Sequence, residues 1–130
     1  MLKFFGLTGA LRADAGVVSV GMVRTPDVTP VPSVLGAGIT ASHSFGTVPS
    51  IAILEYVCLT AEQGFSIGDV FQVTANWNGA ALYPNNITKT TSSVISQSAS
   101  GYIFAGLHKT TGSGFTPTAA NWAYRFVLIK

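Results

Sequence analysis

Apolar positions in this chain recur with a period of two far more often than with the period of a helix. Val70 to Trp77 sets Phe71, Val73, Ala75 and Trp77 on one side of an extended segment and Gln72, Thr74 and Asn76 on the other, the alternation of a strand with one dry face. Trp122 to Ile129 repeats it with Trp122, Tyr124, Phe126 and Leu128. Ser50 to Thr60 is β-branched and apolar on both faces, which predicts a strand in the middle of a packed structure. Further strands are expected over Thr90 to Ser96 and Tyr102 to His108, and the Ser/Thr-rich stretch Thr88 to Ser100 reads as a polar edge strand around Val94 and Ile95. Asn78-Gly79 marks a hairpin, since both residue types accept positive φ. Gly112, Gly114 and Pro117 punctuate the approach to the last strand. Helical spacing with caps is missing throughout, and Ala61-Glu62-Gln63 is stopped at once by Gly64. The pattern predicts an all-β fold, an antiparallel β-sandwich or jelly-roll-like domain.

Residues 1–42 differ in texture. Val17 to Arg24 can form one strand, with Val18, Val20 and Met22 on a shared face. Thr25 to Ser33 then carries three prolines, which fix φ, remove donors and push their predecessors toward extended geometry. The expectation is an extended N-terminal arm over 1–42 and a β-domain over 43–130, the arm free to attach to a partner through Phe4, Phe5, Leu7 and Leu11. The first residues also imitate a secretory signal ending at Ala13-Asp14-Ala15, but the apolar segment is short, contains Thr8 and is followed by Arg12.

Composition changes the picture from a fold to an association. Charged residues make up 9% of the 130 positions, against about 25% in an average soluble protein. Such a chain cannot cover its surface with charge, so part of its apolar surface is expected to be buried against further copies. Seven basic and five acidic residues are scattered, with no Lys/Arg cluster of the kind that tracks phosphates, which argues against nucleic acid. No run approaches the roughly 18 apolar residues of a membrane span, so membrane insertion is not expected. One cysteine excludes an internal disulfide.

Candidate chemistry is sparse. Cys58 paired with His43 or the more remote His108 would be the sole thiol dyad, but no nucleophile motif surrounds it, and a small apolar role in a buried strand suits it better. Glu55, Glu62 and Asp69 can be imagined as an acid/base pair or an oxygen-ligand metal site. They read more simply as an edge or interface charge, a bend residue and a turn residue. No catalytic residues, metal or cofactor are expected, and the chain is not read as an enzyme. The aromatics offer one binding surface: Trp77 and Tyr83 flank the hairpin tip, where they can stack on sugar rings beside the amides of Asn78 and Asn85.

Two blocks resemble the distal β-domain of tailed-bacteriophage fibre and appendage proteins. They are His43-Ser-Phe-Gly-Thr-Val-Pro49 and Cys58-Leu-Thr-Ala-Glu-Gln-Gly-Phe-Ser-Ile-Gly-Asp69, and Lys109-Thr-Thr-Gly112 and Asn121-Trp122 are similar to the same pattern. The resemblance spans roughly residues 43–130. It implies a homotrimeric virion surface protein, a short tail fibre or head fibre subunit that contacts other virion proteins through its N-terminal segment and the host surface, including its glycans, through the β-domain. A capsid decoration protein and a free lectin-like module are the alternative readings.

Overall fold

The computed structural model describes residues 21–130, and within them the chain is all β. The strands are β1 (Met22–Arg24), β2 (Gly38–Ser42), β3 (Ile51–Cys58), β4 (Val70–Gln72), β5 (Ala75–Trp77) and β6 (Leu82–Pro84), then β7 (Asn86–Lys89), β8 (Ser93–Gln97), β9 (Ile103–Leu107), β10 (Gly114–Phe115) and β11 (Trp122–Ile129). A single 3₁₀ turn, Ala119–Asn121, leads into β11. Three antiparallel sheets result, in the orders β1-β11-β3-β4, β10-β9-β5-β6 and β2-β8-β7.

The first sheet is organised by its two long strands, which pair over all eight residues from Trp122 opposite Cys58 to Ile129 opposite Ile51. Leu54, Tyr56 and Cys58 alternate inward from β3, and Trp122, Phe126 and Leu128 inward from β11. Phe104 and Phe115 from the second sheet and Ile39 and Val94 from the third join them in one core. The layers are sandwich-like because all three sheets turn their dry faces to that cluster.

The joints between sheets are single strands that change partner. Val70 to Trp77 starts beside β3 as β4, bonds once more through Val73 N to Leu54 O (2.8 Å), and resumes beside β9 as β5. Leu82 to Lys89 repeats the device: β6 pairs with β5 and β7 with β8, and Asn85 at the break sends its Nδ2 to Val73 O (3.0 Å) and its backbone N to Thr74 O (3.0 Å). One corner residue therefore holds both switching strands.

Two expectations change here. The polar stretch is not an edge: β8 lies at the centre of its sheet, with Val94 and Ser96 fully buried. The boundary at residue 42 does not separate arm from domain either. β1 pairs with β11, β2 pairs with β8, and Val31 and Ile39 are core residues. The Pro-rich segment between them runs along the edge of β11, with Thr25 N on Phe126 O (2.9 Å), Val28 exchanging bonds with Tyr124 and Val31 N reaching Ala119 O. Prolines are tolerated there because an edge needs donors on one side only. Residues 1–20, including Phe4, Phe5, Leu7 and Leu11, lie outside the described residues.

Candidate functional site

The excursion from Cys58 to Asp69 consists of two tight turns stacked on the end of β3. Glu62 to Phe65 closes through Phe65 N to Glu62 O (2.9 Å), with Gln63 and Gly64 both at positive φ (54° and 81°). Ser66 to Asp69 closes through Asp69 N to Ser66 O (3.0 Å), with Gly68 at φ 91°. Gly64 is required twice over: its φ favours glycine, and a Cβ there would stand 2.9 Å from His108 Cε1. Between the turns Phe65 drops into the core, edge-on to Trp122 with ring centroids 5.3 Å apart.

Each ionisable residue of the excursion is committed to structure. Glu62 Oε1 accepts from the indole Nε1 of the fully buried Trp122 (3.0 Å) and from Asn121 Nδ2 (2.9 Å), and the carboxylate also caps Thr118 N (3.3 Å). Asp69 Oδ2 accepts from Ser66 N (2.8 Å) and Lys109 Nζ (2.7 Å), and these bonds, Lys109 first, hold its carboxyl below the usual range. Cys58 is 1% exposed, its thiol donates to Thr60 O (3.2 Å), and burial pushes it up. His43 is occupied elsewhere, with Nε2 on Thr90 O (3.0 Å). Glu55 pairs with Arg125 in the middle of the first sheet (2.9 Å). Among the described residues no three His, Cys, Asp or Glu side chains gather as metal ligands.

The excursion also draws together separate parts of the sequence. Lys109 is tied to it by its side chain on Asp69 and by its backbone N on Gln63 O (3.0 Å), and Asn121-Trp122 is tied to it through Glu62. The blocks Cys58 to Asp69, Lys109 to Gly112 and Asn121-Trp122 thus form one end of the domain.

Trp77, Asn78, Tyr83 and Asn85 do not converge. Register places Trp77 opposite Leu82 and Asn76 opposite Tyr83, so Trp77 and Tyr83 leave opposite faces of the second sheet. The Trp77 indole lies on Gly114, where a Cβ would sit 3.6 Å from Cε3. Tyr83 is half exposed and packs edge-on against Tyr102, with centroids 4.6 Å apart, and contact with the Tyr83 hydroxyl pushes the Tyr102 phenol up. Asn78 is consumed by its own turn: Oδ1 accepts from Ala80 N and Ala81 N, each at 2.9 Å, in a four-residue connection where Gly79 has φ 94°. Asn85 is the corner clamp described above. Trp122 and Phe115 are core residues.

Sequence reasoning missed a cleft and a face. The cleft, of about 220 Å³, opens where the Val70–Trp77 segment leaves β3 as β4 and joins β9 as β5, and Phe71, Gln72, Thr74, Leu82 and Leu107 line it. None of these is ionisable, so it offers apolar contact and amide or hydroxyl hydrogen bonds. The face is the outer side of the first sheet, where Met22, Ile51 and Val70 are 55%, 46% and 40% exposed. The apolar outer residues Ile51, Ile53 and Val57 of the strand are its signal in the sequence. No protein-family model, curated protein or solved structure matches this chain.

Proposed function

We propose that this chain is a structural subunit of a tailed-phage particle, a short fibre or appendage protein whose β-domain stands on the virion surface and associates with further copies. The observation that carries the structural role is the disposition of charge and apolar surface. Glu55, Glu62 and Asp69 are each spent on holding the fold, while large apolar side chains such as Met22, Val34, Leu35, Ile51 and Ile67 stay exposed. A surface of that kind is suited to being covered by protein. The phage assignment rests on the resemblance carried by His43 to Pro49 and Cys58 to Asp69, with Lys109 to Gly112 and Asn121-Trp122; of these, all but His43 to Pro49 meet at one end of the domain around Glu62 and Asp69. In this reading Phe4, Phe5, Leu7 and Leu11 serve attachment to other virion proteins, and the association implied by the resemblance is three-fold.

Labelled-antibody electron microscopy on intact particles tests it, with stoichiometric recovery in purified virions as the quantitative counterpart. Label on the particle surface is the expected result. Particles that lack the protein in preparations where it is expressed would remove the assignment.

A further inference from the structure

The outer face of the first sheet is ordered in rows by the strand register. Reading across β4, β3 and β11, the rows are Val70, Val57, Ala123 and then Gln72, Glu55, Arg125. Across β3, β11 and β1 they continue as Ile53, Val127, Arg24 and finally Ile51, Ile129, Met22. Apolar residues thus occupy both ends of the face, and one ion pair crosses its middle, Arg125 Nε on Glu55 Oε1 at 2.9 Å, with Asp27 at 3.7 Å from the same guanidinium. Both side chains of the central pair are about four-fifths covered (20% and 21% exposed).

We propose that a second copy of this chain docks on this face about a two-fold axis parallel to β3 and β11 and midway between them. Such an axis returns each row to its own height with the strand order reversed. Glu55 then faces the second copy's Arg125 and Ile51 faces its Ile129, while Ile53 lies over its Val127, which is only 8% exposed and adds little area. The face is therefore complementary to itself in charge as well as in apolar character, the condition for an isologous contact. Arg24 and Arg125 balance Asp27 and Glu55, so the face presents no net charge to select a nucleic acid or a strongly charged protein. Packed sheets cross at about 30°, which keeps the two central rows closest to register and lets the outer rows diverge.

The contact generates an even number of copies: two, or six where the three-fold association of the proposed fibre is added. It stands independently of the virion assignment, since loss of that assignment leaves the two-fold contact untouched. Light scattering on the full chain is expected to give twice the 13.5 kDa chain mass, or six times it. Ile53→Lys with Val57→Lys is expected to weaken the two-fold association by about 100-fold by setting like charges in the buried centre. Ile51→Lys, at a half-exposed position that tolerates charge in the folded chain, is expected to weaken it by about tenfold and decides the matter if the double variant does not fold. Leu107→Lys, at a half-exposed apolar position on β9 of the second sheet, is the control and leaves the mass unchanged. One or three copies overturns the proposal, including a monomer whose face is covered by its own first twenty residues. Lysine variants that retain an even-numbered assembly of undiminished affinity overturn it as well.

Discussion

At the scale of single residues, the chemistry-bearing side chains are explained by what they hold in place. Cys58 sits 1% exposed at the end of β3, so Cys58→Ala is expected to cost about 1 kcal/mol through a small cavity. In urea titrations the loss should appear as a shifted midpoint, and the native thiol should react with a soluble disulfide reagent only as fast as the chain opens. Asp69 gives a pH signature. Its folded pKa lies below that of the unfolded chain, so the folded state favours the carboxylate, and the contribution is fully present above the ordinary carboxylate range near pH 4. As pH falls from there through the lowered folded value, the unfolded state takes up the proton first and the contribution disappears. Asp69→Asn should therefore flatten the fall in melting temperature below about pH 4 and leave the neutral-to-acid difference smaller than in the parent. An unchanged acid limb would show that Lys109 and Ser66 do not hold the carboxylate in solution. Asn78 and Glu62 were legible as turn and bend from neighbouring glycines. The divergence of Trp77 and Tyr83 was legible too, since a connection of two or of four residues sets Tyr83 opposite Thr74 or Asn76, in either case on the face away from Trp77.

Elements were legible in proportion to the number of residues that repeat one pattern. β3 and β11 carry eight residues each and pair along their whole length, so alternation, length and burial agree. Val70 to Trp77 alternates as cleanly in sequence, yet it splits at Val73-Thr74 into strands of two sheets. The period of two survives a change of partner, and the switch is specified by the Asn85 clamp, which lies outside the segment. β1 and β2 were read as parts of an arm because prolines hide edge pairing that uses one side of the backbone only. The excursion after β3 depends most on Glu62, which joins Trp122, Asn121 and Thr118. Glu62→Ala removes a charged acceptor and leaves the indole N–H of a wholly buried tryptophan without a partner, at a cost of about 3 kcal/mol. Glu62→Gln keeps an acceptor of the same shape and should recover about half of that loss. Equal unfolding midpoints for the parent and Glu62→Ala would show that the carboxylate is not what anchors β11 to the bend.

For the whole molecule, the question is where the folding unit begins, and pattern alone sets it at residue 43. The packing sets it earlier. β2 supplies one of the two partners of β8, with five registered residues from Gly38 opposite Gln97 to Ser42 opposite Ser93, so its removal exposes the central strand of the third sheet on one side. Val31 and Ile39, 2% and 1% exposed, would leave voids beside core residues from all three sheets. Losing β1 and the stretch from Thr25 to Val31 bares the edge of β11, whose carbonyls at Tyr124 and Phe126 accept from Val28 and Thr25. Two buried aliphatic side chains alone are worth about 3–6 kcal/mol at about 1.5–3 kcal/mol each, comparable with the whole stability of a small domain. A chain beginning at residue 43 is therefore expected to lack a cooperative thermal transition and to aggregate through its bared strands, while one beginning at Gly21 keeps every contact named here and unfolds in a single transition. Circular dichroism melts of the two truncated chains against the parent distinguish the outcomes. A sharp transition in the shorter chain would mean that residues 22–42 are laid onto a finished domain; its absence makes them part of the folding unit.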